Sequence, residues 1–203
     1  MSILNLPTLS RTAPSFMTFS LIPNTQSLES PLNKSVQTGE LPGARWTATF
    51  GWNNLAATDA RILKAWLNKL SGMAGSFYLY DSSHQAPSGT ALGDPLVKGA
   101  GQTGRTLLTD GWTANQANLF MPGDYFGVGS QLCVITDLIS SNSSGEATLF
   151  FEAPLRFSPT DNLAVIITRP TCTMMLKDDN QDSFQFEPGA NVPAVTIQCM
   201  ERF

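Results

Sequence analysis

Charge is what this sequence has least of. Only 14% of the 203 residues are Asp, Glu, Lys or Arg, and the net charge is −4. A nucleic-acid surface neutralises phosphates with clustered Lys and Arg. The 12 basic residues here are scattered, so nucleic-acid readout is excluded. Histidine occurs once, as His84, which is too few for a histidine-rich metal site. Cysteine occurs three times, at the widely spaced Cys133, Cys172 and Cys199. Each sits in an apolar, strand-like run, and buried free thiols are expected there, because a zinc site needs tighter pairs and histidine partners. Long apolar runs are also missing, and none approaches the roughly 20 residues of a membrane-spanning helix. The opening residues MSILNLPTLSRTAPSF lack a basic start followed by an apolar core, so no secretory leader is expected. These absences together predict a soluble protein made in a cytosol, with no membrane insertion.

What is present points to β structure. Apolar residues make up 42% of the chain, enough for a core, and Gly, Pro, Ser, Thr and Asn are plentiful. That profile fits a loop-rich β protein. The chain is organised around residues 29–81. Between 45 and 52, Trp46, Ala48, Phe50 and Trp52 recur at every second position, the mark of a half-buried strand. A helix is predicted over 58–71, with Thr58 as N-cap, Asp59 in the first turn and Gly72 at the C-cap. Ile62, Leu63, Trp66, Leu67 and Leu70 form its apolar face. An aromatic strand over 76–80 follows.

Around this unit, residues 1–15 predict an extended arm and 17–22 a strand. Pro31 bars the stretch 28–41 from a central strand position, leaving an edge strand or a long loop. Residues 82–106 read as a long excursion without period, and 107–119 are ambiguous, with a turn at Gly111-Trp112. Short strands at 125–128, 131–138 and 147–151 predict a small barrel or meander. Further strands are expected at 163–168, 172–176, 183–187 and 193–203. The fold class is therefore mainly β. A split barrel or sandwich with one packed amphipathic helix forms from residues 1–96 and 165–203, and a small β-meander or barrel over 97–164 is inserted into it.

Patterns that could carry chemistry are few. Asp81-Ser82-Ser83-His84 contains the residue types of a hydrolytic triad, but triad members come together from separate elements, so a surface loop is expected. Gly99, Gly101 and Gly104 match GxGxxG literally. A dinucleotide site needs a strand before this motif and a helix after it; Pro95 lies upstream and the downstream residues do not read as helical, so a loop is expected. Asp178, Asp179, Asp182 and Glu187 crowd one turn without the ligand order of a calcium loop. Nothing selects a carboxylate pair for glycoside cleavage. No catalytic residue, cofactor or metal is expected. Trp112, Tyr125 and Phe126 are the aromatic residues expected to be exposed and to face a partner, and they define an alternative reading, a carbohydrate-binding β module.

Residues 30–50, SPLNKSVQTGELPGARWTATF, followed by the amphipathic helix and the short aromatic strand ending in Asp81, resemble a family of small tail-tip proteins of tailed bacteriophages. PGDYFGVGSQL from Pro122 and GEATLFFEAPLR from Gly145 resemble the second half of the same family, and the likeness covers most of residues 17–170. The resemblance implies a structural virion protein, of the distal-tail or tail-tube-like kind, whose split barrel joins with copies of itself into a ring of six around a channel. Tube, hub and fibre proteins are the implied partners, and assembly takes place in the host cytoplasm. Rings of this kind use unpaired strand edges. Leu28, Pro31, Val36 and Leu41, together with the arm at 1–15, are the expected contacts between subunits.

Overall fold

The computed structural model describes residues 2–11, 13–181, 184–185 and 191–203. It is mainly β, with one α-helix and two large sheets. The first sheet has five strands in the order β1 (Phe16–Ile22), β4 (Arg45–Leu55), β13 (Val192–Glu201), β12 (Cys172–Leu176) and β5 (Phe77–Leu79). All four pairings are antiparallel. As the alternation predicts, Trp46, Ala48, Phe50 and Trp52 point to one side and are buried. They form one core with Leu63, Trp66, Leu67 and Leu70 of α1 (Ala57–Leu70).

The ends of α1 differ from expectation. Ala56 is the N-cap and offers no side-chain acceptor, while Thr58 lies inside the first turn. At the other end Ser71, not Gly72, adopts the left-handed cap conformation, and its N–H reaches Asn68 O. Gly72 instead opens a short 3-10 turn, where Asp179 Oδ1 accepts from Met73 N at 2.8 Å. Ile62 sits off the apolar stripe and is 46% exposed.

The N-terminal stretch also departs from expectation. Rather than standing off as a free arm, residues 2–11 strap the chain's own core, with their outer side chains exposed. Leu9 is buried and Leu4 and Leu6 pack beside it. Leu4 N donates to Ser76 O and Tyr78 N donates to Leu4 O, which covers the outer edge of β5. Asn5 O accepts from Trp66 Nε1, and Ser10 donates through N and Oγ to Asp59. The strap satisfies polar groups that burial would otherwise leave unpaired.

The second sheet has six strands, in the order β11 (Val165–Ile166), β8 (Tyr125–Val128), β9 (Gln131–Ile135), β10 (Ala147–Glu152), β7 (Thr106–Trp112) and β6 (Gly93–Val97). It curls into a nearly closed barrel. Leu96 bridges Ala164, Val97 N donates to Leu163 O and Asn162 N donates to Val97 O across the closure. Phe126, Phe151, Leu107, Leu149 and Phe120 fill its interior. Thus β6 lies inside the stretch expected to be an excursion, and β7 runs from its last residue into the ambiguous one. The strand expected over 183–187 falls largely outside the described residues.

Two elements tie the cores together. Trp46 Nε1 donates to Leu132 O at 2.9 Å, and the Tyr125 ring meets Trp46 at 5.6 Å and Phe19 at 6.3 Å. Arg156, following β10, forms a bidentate pair with Glu201 of β13.

Between β1 and β4 the chain makes a separate hairpin of β2 (Thr25–Glu29) and β3 (Val36–Glu40). This resolves the stretch 28–41, in which Pro31 occupies the turn.

Candidate functional site

The hairpin is the most unusual surface of the molecule. Ile22 of β1 pairs with Arg45 of β4, and Thr25 of β2 with Glu40 of β3. The hairpin is therefore an arm that carries the β1–β4 ribbon beyond the sheet. Every residue of both its strands is exposed. In an antiparallel ladder, directly opposed residues share a face and successive residues alternate. Leu28 opposes Gln37 and Val36 opposes Glu29, so Leu28 and Val36 lie on opposite faces. Leu32, at the tip, is 95% exposed, and Pro31 and Leu41 are exposed as well. Internally the arm is well bonded: Ser30 N donates to Ser35 O, Lys34 N to Ser30 O, and Lys34 pairs with Glu29 at 2.9 Å. A two-stranded hairpin alone is marginal in water, and this one displays apolar side chains on both faces.

The expected partner-facing aromatics are placed differently. Trp112 is buried inside the barrel, where Nε1 donates to Thr109 Oγ1 at 2.8 Å and the ring meets Phe120 edge-on at 5.6 Å. Phe126 is fully buried against Phe120 and Phe151. The alternation of β8 sends Phe126 inward and Tyr125 outward, but that outer face is covered by the first sheet. Tyr125 is half-buried, and burial, with the Asp81 carboxylate beside it, pushes its phenol up to about 12. These three residues form no exposed platform.

The residues with chemical potential fall into turns. Ser83 donates through N and Oγ to Asp81 Oδ1, at 2.9 and 2.6 Å. His84 Nδ1 lies 3.0 Å from Ser83 Oγ and 3.6 Å from Asp81 Oδ2. A triad places the acid and the hydroxyl on different ring nitrogens. Here both meet Nδ1, and the hydroxyl is held by the carboxylate, as in an Asx turn. Gly99, Gly101 and Gly104, all at φ near +80°, sit in the loop joining the antiparallel β6 and β7. Gln102 fills that loop, its Nε2 donating to Lys98 O and Leu108 O and its Oε1 accepting from Leu108 N. No helix opens after it, so the dinucleotide arrangement is absent. Asp178 and Asp179 accept from Asn180 N and Met73 N; Asp182 and Glu187 lie outside the described residues. Among the described residues, no three His, Cys, Asp or Glu side chains gather as metal ligands, and no helix is long and apolar enough to cross a membrane. A cavity of about 280 Å³ opens at one end of the barrel, lined by Val128, Ser130, Leu155, Phe157, Pro159 and Leu163 among others, with no ionisable side chain in its wall.

All three cysteines are buried. Burial raises the thiol of Cys199 to about 12 and those of Cys133 and Cys172 far above the usual range. Since the thiolate is the reactive form, none of the three should react with a thiol reagent at pH 8 in the native protein, while all three should react in denaturant. Rapid labelling of the native chain, counted by intact mass, would overturn that placement.

No protein-family model matches the chain, and no curated protein matches it at significance.

Proposed function

We propose that the chain is a non-catalytic structural subunit of a bacteriophage tail. In this reading it closes with copies of itself into a ring at the distal tail, six subunits in number if it follows the family it resembles. The ring joins the tail tube to hub or fibre proteins, and it resides in the virion after assembly in the host cytoplasm.

The observation that carries this reading is the arm. It exposes Leu28, Leu32, Val36 and Leu41 around a ladder that touches almost nothing else. Apolar side chains displayed on both faces of a projecting hairpin favour a second protein surface over bulk water. The motif at residues 30–50 that carries the phage resemblance spans the arm's turn, β3 and the first part of β4, so it overlaps the arm. A second feature fits self-assembly. Among the described residues, β1 has no backbone partner on its outer side, whereas β5 is covered by the strap and the barrel closes on itself. A ring with heterologous contacts needs two different patches on each subunit, and the arm and the β1 edge are two such patches. The carbohydrate-binding alternative has lost its aromatic platform, since Trp112 and Phe126 are interior.

The deciding experiment is native mass with negative-stain imaging at several concentrations, alone and with tube and hub proteins. A closed ring with a central hole supports the reading. A chain that stays monomeric under all these conditions overturns it.

A further inference from the structure

We propose that the arm is hinged on the five-stranded sheet and held against the barrel by one electrostatic latch, in which Arg105 is clamped between Glu40 of the arm and Glu152 of β10. The hinge lies between the two ladders. The β1–β4 ladder ends at Ile22 and Arg45, and the β2–β3 ladder begins at Thr25 and Glu40. Pro23 and Asn24 span the gap on one side, and residues 41–44 span it on the other. Unequal lengths interrupt a ladder and bend it, as a bulge does. Pro23 and Pro42 offer no backbone N–H. Gly43 sits at φ +110, in the region that side chains disfavour. Two hydrogen bonds cross the gap, Leu41 N to Asn24 O and Asn24 Nδ2 to Pro42 O.

Beyond the hinge, packing does not hold the arm's direction, since all ten strand residues are exposed. Among the described residues, Arg105 with Glu40 is the only hydrogen bond or ion pair joining residues 25–40 to the body. The same guanidinium lies 3.1 Å from Glu152, and Arg105 O accepts from Phe151 N, so the latch is anchored in the barrel wall. All three side chains are more than two-fifths exposed. Exposed pairs of this kind bias an equilibrium by about fivefold at most, and salt near 1 M shortens the reach of charge to about 3 Å. The latch is weak enough to open, and it sets where the arm points without contributing much to stability. It holds whether or not the chain assembles into a ring.

The test is a spin-label distance between the arm and the barrel, using Gln37→Cys and Thr148→Cys. Both positions are exposed, and the buried native thiols should stay unlabelled. Labelled chains are diluted into unlabelled protein, at a concentration where native mass reports single chains. The wild type at low salt is expected to give one narrow distance. Arg105→Ala, Glu40→Ala, or salt of about 1 M should each raise the fraction outside that peak by about two- to fivefold. A fraction outside the peak that Arg105→Ala leaves unchanged, or a broad distribution already present in the wild type at low salt, overturns the latch.

Discussion

Replacing Glu201 by alanine is expected to destabilise the protein by about 3–5 kcal/mol, the range for breaking a buried ion pair by removing one partner. The side chain of Glu201 is 1% exposed and that of Arg156 16%. The guanidinium donates through Nη1 and Nη2 to the two carboxylate oxygens at 2.5 and 2.6 Å, and Glu201 Oε2 also accepts from Trp46 N at 3.0 Å. Arg156 Nη2 donates further to Ala44 O, and its plane lies over the Phe203 ring at 4.2 Å. Truncating Glu201 leaves a largely buried cation with Ala44 O as its remaining hydrogen-bond acceptor and a buried backbone N–H, that of Trp46, without its acceptor. At about 2–4 °C per kcal/mol for a chain of this size, the melting temperature should fall by roughly 6–20 °C. The double variant Arg156→Met/Glu201→Leu should recover part of the loss, because exchanging a whole buried pair for apolar volume is close to neutral, while Trp46 N still lacks its acceptor. A single-variant loss below about 1 kcal/mol in denaturant melts would show that water enters the pair freely, against the burial seen here.

That pair also marks the limit of what a local sequence pattern carries. The strand at Trp46, Ala48, Phe50 and Trp52 and the helix at Leu63, Leu67 and Leu70 were legible because each buries one side, and one-sided burial writes its period into the residues. Glu201 and Arg156 are 45 residues apart, and no local pattern marks them as partners. The same holds for the N-terminal strap, whose hydrogen bonds from Ser10 to Asp59 span 49 residues. β6 was hidden because it closes the barrel as a terminal strand, with Pro95 inside it and an irregular register between Gly93 and Leu96. The arm was hidden for the opposite reason: it buries neither face, so no alternation of apolar and polar residues was imposed on it. Trp112 and Phe126 turn inward, against the sequence expectation, because the barrel has an interior of its own, and the outer face of Tyr125 is covered by Phe19 and Trp46. Of the candidate assembly surface, the residues Leu28, Pro31, Val36 and Leu41 could be named from sequence, but not their projection from the body.

If the chain assembles as proposed, replacing residues 25–40 by an Asn-Gly turn, which suits a two-residue hairpin connection, should abolish self-association while leaving both cores folded. The arm contributes no side chain to either core, so the melting temperature should move by only a few degrees. If the arm is the subunit contact, placing an unpaired carboxylate where one of its apolar side chains is covered should cost about 2 kcal/mol or more, or roughly 30-fold in affinity. Sedimentation or native mass across concentrations reads this directly. Point variants divide the contact further, since Leu28 and Val36 occupy opposite faces. If a partner clasps the arm, Leu28→Asp and Val36→Asp should each weaken assembly by about 30-fold; if it covers one face, only one of them should. A ring that forms with unchanged affinity after the arm is removed would place the subunit contact elsewhere, with the unpaired edge of β1 as the next surface to block.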